Sequence, residues 1–222
     1  MRQLFTLLHR ALYFNTAYVG LASKALMDYR ASLEQEVFNE ADAYKRNAIA
    51  RLEASTKTVA DFLNAPLSQT FLVHNFSTGV RYCLEYLPKG TRVLTLKEDY
   101  PSLLNALEER QLDVTAVPVT VDVETRVQEA LRQGHFDVLA ISMVNYTTGL
   151  KFNMKALEAI KKAHPELLII VDGTQWVGTE AIDVQNSPID ILVGSGYKWL
   201  LAGFSSGYLY CSAFFFERFK LD

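Results

Sequence analysis

The sequence predicts an α/β fold, with a mostly parallel sheet flanked by helices. Two observations carry this. Short apolar runs alternate with amphipathic stretches from residue 66 onward. Strand-like runs alternating with helical stretches imply βαβ units and a largely parallel sheet. Polar and glycine residues follow directly after the runs, where open α/β sheets bind their ligands.

Each element reads from its own pattern. FLVHN (71–75) is strand-like and STGVRYCLEYL (77–87) helical. RVLTL (92–96) precedes the helical SLLNALEER (102–110), and DVTAVPV (113–119) precedes VETRVQEALRQG (123–134). DVLAISMV (137–144) is followed by NMKALEAIKKA (153–163). LLIIVDG (167–173), DILVGS (190–195) and GYLYCS (207–212) are three further strand candidates. Before them, residues 21–63 read as helix, with Leu33, Val37, Phe38 and Ala41 at helical spacing among many charges. Residues 1–65 are therefore expected to form an N-terminal arm and helices, and 66–222 the sheet-bearing large domain.

Length and composition narrow the function. A chain of 222 residues suits one domain, or one plus a piece of another. The net charge of −3 offers no basic surface for nucleic acid. Two cysteines, Cys83 and Cys211, form no disulfide framework; they read as core residues in a reducing compartment. Four scattered histidines give no metal-ligand spacing, and no metal is expected. No G-x-G-x-x-G follows a predicted strand, which argues against a nicotinamide cofactor. The stretch MRQLFTLLHRALYF is broken by His9 and Arg10, so it reads as an arm rather than a signal peptide. The apolar region 190–216 carries Lys198 centrally and suits strands joined by a turn better than a membrane span.

Four features could carry chemistry. Lys198 sits in DILVGSGYKWLLAGFSSGYLY, where a lysine with a lowered pKa could act as a Schiff-base nucleophile; a solvent-exposed turn is the alternative. Asp172 ends LLIIVDG and could pair with a cation, or simply serve as a turn or N-cap residue. Ser77, Thr78 and Gly79 open a helix and could bind an anion, although on local grounds Ser77 reads first as a plain N-cap. Tyr100, before Pro101, could lie over a flat ligand or merely pack on the surface. All four follow successive apolar runs, so all can meet at one sheet edge.

VDGTQ (171–175) followed by GSGYKWLLAG (194–203) resembles the signature of the class V aminotransferase family, which includes cysteine desulfurases, isopenicillin-epimerase-like proteins and kynureninases. DYPS (99–102), VNYTTGLKFNM (144–154) and YFNTAYVGL (13–21) resemble further segments of that family. The resemblance implies a fold-type I large domain dependent on pyridoxal 5′-phosphate (PLP), held as a Schiff base by Lys198. It implies that Asp172 pairs with the pyridine nitrogen and that Gln175 lies near the phenolic oxygen. Tyr100 would stack on the ring, while Ser77, Thr78, Ser195 and Tyr197 bind the phosphate. Asn15 and Tyr146 would face the substrate, with Tyr146 standing where desulfurases tend to carry asparagine.

An amino-acid or amine substrate, a cytoplasmic location, a homodimer and no membrane partner follow from the same resemblance. The expected activity is that of a class V aminotransferase. The alternatives are a PLP-dependent lyase, desulfurase or epimerase, or a catalytically incomplete remnant acting only in binding or dimerisation. The sequence stops about where the family's C-terminal small domain would begin, and that domain usually supplies a substrate-clamping arginine. In desulfurases a loop beyond the lysine usually supplies the catalytic cysteine. The tail FFFERFKLD offers no turn signal and reads as interrupted rather than capped.

Overall fold

In the computed structural model, which describes residues 2–221, all seven apolar runs become strands of one sheet. They are β1 (Thr70–Val73), β2 (Arg92–Leu96), β3 (Asp113–Val117), β4 (Val138–Ser142), β5 (Leu168–Asp172), β6 (Ile191–Ser195) and β7 (Gly207–Cys211). The spatial order is β1-β7-β6-β5-β4-β2-β3. Strands β2 to β6 pair in parallel, while β7 runs antiparallel to both β1 and β6. Strands β4 to β7 are buried along their whole length, which accounts for their unbroken apolar character. Strand β3, at the edge, is mostly exposed.

Successive strand residues point to opposite faces, and two cores result. Leu94, Leu139, Ile169 and Leu192 face one core, completed by α4 (Val123–Gln133) and α5 (Met154–Ala163). Val93, Ala140, Ile170 and Val193 face the other, completed by α2 (Phe76–Leu84), α3 (Pro101–Glu109) and α6 (Ala213–Phe219). Both cysteines are buried in this second core, as expected. The carboxyl ends of β2, β4, β5 and β6 therefore open along one edge between two helical layers. Beneath the opposite edge, Lys161 of α5 donates to the buried Asp190 at 2.8 Å and to the Leu167 carbonyl, tying α5 to the start of β6. No described helix is long and apolar enough to cross a membrane.

One expectation needs correction. The segment expected to be one helix is α1 (Lys24–Leu63), but Ala41 within it has non-helical dihedrals. Arg51 pairs with Glu36 at 2.6 Å. In a straight helix those residues would lie about 22 Å apart, so the chain folds back at Ala41. Only Ala60 and Leu63 of α1 are buried, and little packing holds it straight. The tail folds as the last helix. Ser212 caps α6 by accepting the Phe215 N–H at 3.3 Å, and Lys220 closes it in the left-handed conformation. Phe215 is buried, and its ring meets Tyr86 edge-on at 5.7 Å.

Candidate active site

The turn after β6 carries Lys198 into the interior, with 6% of its surface exposed. Its amine stands 5.8 Å from the Tyr100 ring and 5.9 Å from the Tyr197 ring. Burial lowers the pKa of the amine below the ordinary lysine value, and the Asp172 carboxylate partly opposes this. The exposed-turn alternative for Lys198 is thereby removed.

Asp172 ends β5 and is 5% exposed. Its Oδ1 accepts the Thr174 N–H at 2.8 Å, so it does serve its own turn. Burial pushes its carboxyl from the ordinary 3.8 up to about 7. Bonds from Thr174 pull the other way; the nearby Asp99 adds repulsion, and Lys198 a small offset. A carboxylate in this position is short of cationic partners. Thr174 links it onward, because its Oγ1 accepts the Ser195 N–H at 3.1 Å.

Tyr100 is the residue before α3, with Pro101 in the first turn as its sequence suggests. Its ring is edge-on to Phe76 at 6.3 Å and to Tyr146 at 5.4 Å. Tyr100, Tyr146, Asp172, Gln175 and Lys198 line one cavity together. Ser142 and Thr174 join them there, and the site residues named from sequence included neither. Ser142 was hidden inside DVLAISMV, a run read as apolar, and proves to be the last residue of β4. The Gln175 amide is already engaged: Nε2 donates to the Ala17 carbonyl and Oε1 accepts the Trp199 indole N–H, both at 2.8 Å.

The expected phosphate-binding residues lie at the near ends of α2 and the Lys198 turn. Asn75, not Ser77, is the N-cap of α2, accepting the Thr78 N–H at 2.9 Å. Ser195 is buried and its Oγ accepts the Phe76 N–H at 3.0 Å, joining α2 to β6. Thr78 borders a second, larger cavity with Gly196 and Ser206 rather than the one with Lys198. The Tyr197 ring stacks on Phe204 at 5.1 Å. Asn15 is exposed on the arm and is not among the residues lining the cavity. The arm reaches the turn elsewhere: the Gly20 N–H donates to the Tyr197 carbonyl at 2.8 Å.

These groups suit PLP. A buried carboxylate awaits a ring cation, a buried amine lies beside it, an aromatic ring borders both, and hydroxyls cluster at a helix N-terminus. Fold and site together describe the large domain of a fold-type I PLP enzyme. The chain belongs to the class V aminotransferase family, whose model matches residues 21–220. That family depends on PLP.

Among curated proteins it is similar to a probable cysteine desulfurase of Pyrococcus abyssi, 23% identical over 249 residues, covering 99% of this chain and 58% of that protein. Among solved structures it resembles a C-DES mutant with glycine covalently linked to the PLP cofactor, at a TM-score of 0.85 and 18% identity, over 96% of this chain and 60% of that one. It also resembles the cystine C–S lyase C-DES in complex with its product cysteine persulfide, at a TM-score of 0.83 and 19% identity, over 94% and 59% of the two chains. The chain thus spans somewhat under two thirds of the length of the relatives it matches.

Proposed function

We propose that this chain is the cofactor-binding part of a PLP-dependent enzyme that cleaves a carbon–sulfur bond in an amino acid of the cysteine or cystine type. This replaces the amino transfer favoured from sequence, and the names of the relatives support the change. The observation that carries the PLP reading is the buried Lys198 amine beside the buried Asp172 carboxylate, both lining one cavity with Tyr100.

PLP, when bound, supplies an electron sink for the bonds at the substrate's α-carbon. Lys198 would hold it covalently. Its amine would be placed to take or return the substrate's α-proton, a role that a lowered pKa favours. Asp172 would pair with the ring nitrogen and keep it protonated. Tyr100 would pack against the ring plane and exclude water from that side. The hydroxyls of Ser77, Ser195 and Tyr197 and the first turn of α2 would hold the phosphate. Gln175 would approach the phenolic oxygen, and Tyr146, which lines the same cavity, the substrate. Cys83 and Cys211 are buried in the core that packs against α2 and α6, so neither thiol is placed to accept sulfur.

The test is to load the chain with PLP, reduce it with borohydride and map the modified peptide by mass spectrometry. Label at Lys198, absent from Lys198→Ala, is the expected result. Absence of label would favour the binding-only remnant. Loaded protein is then offered cysteine or cystine beside a keto acid. Release of sulfide or persulfide supports the reading, and amino transfer to the keto acid would restore the aminotransferase one.

A further inference from the structure

We propose that Asp99 is a positioning residue of this site, a buried carboxylate clamp that fixes the Tyr100 ring beside Lys198 by tying the start of α3 to the end of β4. Asp99 is 2% exposed, and both its oxygens are used. Oδ1 accepts the Tyr100 N–H at 2.6 Å and also the Ser142 hydroxyl, while Oδ2 accepts the Ser142 N–H at 2.8 Å. Strands β2 and β4 are neighbours in the sheet, so the loop leaving one is pinned to the end of the other. A second tie lies alongside, where the Asn145 amide donates to the Glu98 carbonyl at 2.8 Å.

The bond to its own N–H fixes the Tyr100 backbone, and the edge contacts to Phe76 and Tyr146 then fix the ring. Ser142 pairs in register with Asp172, so the clamp and the carboxylate of the site share one strand junction. A turn alone does not need this arrangement. Burying a charge is costly, and a neutral Asn or Ser serves an ordinary turn as well. Here the burden is greater, because Asp99 and Asp172 repel each other. A local rule broken in this way marks a position held for the site rather than for the fold.

The experiment is a double-mutant cycle with Asp99→Asn, Tyr100→Ala and the pair, read by PLP affinity and by the induced circular dichroism of the bound cofactor. Asp99→Asn alone is expected to weaken PLP about tenfold and to diminish the dichroism, since one amide N–H would face a donor. In the Tyr100→Ala background the same change should shift affinity less than about twofold. An equal loss in both backgrounds would overturn the clamp. Ser142→Ala, which removes one donor and keeps the carboxylate, carries the same cycle should Asp99→Asn not fold. The cofactor readout rests on the PLP reading. If the native chain takes up no PLP, that reading fails, and amide hydrogen exchange of the unloaded protein judges the clamp instead. Exchange at Tyr100 and Ser142 accelerated about tenfold by Asp99→Asn, relative to α4, supports it; unchanged exchange overturns it.

Discussion

Asp172→Asn is expected to stabilise the unloaded protein above neutral pH and, at the same time, to cripple its hold on PLP. The two effects have one cause. Burial raises the carboxyl from 3.8 to about 7 in the folded chain. Between those values the unfolded chain has released its proton while the folded chain keeps it, so stability falls as pH rises through that window. At about 1.4 kcal/mol per pH unit, the loss above pH 7 is on the order of 4 kcal/mol. Asparagine carries no charge and still accepts the Thr174 N–H, so it avoids the loss. Urea midpoints measured from pH 4 to 8 should decline more steeply for the native chain than for Asp172→Asn, since Asp99 and Asp190, also raised by burial, remain in both. Parallel curves for the two would show that Asp172 ionises without penalty. With PLP the sign reverses, because the ring cation loses its buried partner. Removing one member of such a pair costs about 2 kcal/mol or more, roughly a thirtyfold loss of affinity.

Gly194→Ala is the second large expectation. A Cβ at Gly194 would overlap the Tyr208 hydroxyl and stand 2.5 Å from its ring carbon Cζ. Tyr208 is buried on β7, directly across the ladder from Gly194, with no hydrogen-bond partner for its hydroxyl among the described residues. Neither group has room to retreat in a sheet packed on both faces. The expected cost is about 3 kcal/mol, the upper part of the overpacking range. Tyr208→Phe removes the overlapping oxygen, so Gly194→Ala should cost about half as much in that background. On its own, Tyr208→Phe should be neutral or stabilising, since it deletes a buried hydroxyl that pairs with nothing. Denaturant unfolding of the three variants decides this, and a Gly194→Ala chain as stable as the native one would refute the close packing.

Much of the sheet was legible because strands buried on both faces must be continuously apolar. RVLTL (92–96) coincides with β2 for this reason. The reversed direction of β7 was not legible, since GYLYCS carries no mark of which way its neighbours run. The reversal at Ala41 was hidden as well, because helical spacing continues unbroken through it. In the site, Lys198 and Asp172 stood out as charges beside apolar runs, and that signal is local. Asp99 and Ser142 gave little warning; their meaning lies in a contact between β2 and β4, elements far apart in sequence. Ser77 looked like the cap of α2, but Asn75, two residues earlier, presents its side chain to the first turn. Local preference allowed both, and only the chain's entry into the helix chose between them.

The seat of the arm on the Lys198 turn has a consequence for how the protein handles traffic. Gly20 lies so close to the carbonyls of Tyr197 and Lys198 that any side chain there would strike them. Ala17, just before it, receives the Gln175 amide. The N-terminal arm and the Lys198 turn are therefore fastened to each other, not merely adjacent. Whatever stiffens the turn must shelter the arm, and whatever lifts the arm must loosen the turn by an equal free energy. A segment that looks like packaging is thus energetically coupled to the turn that carries Lys198.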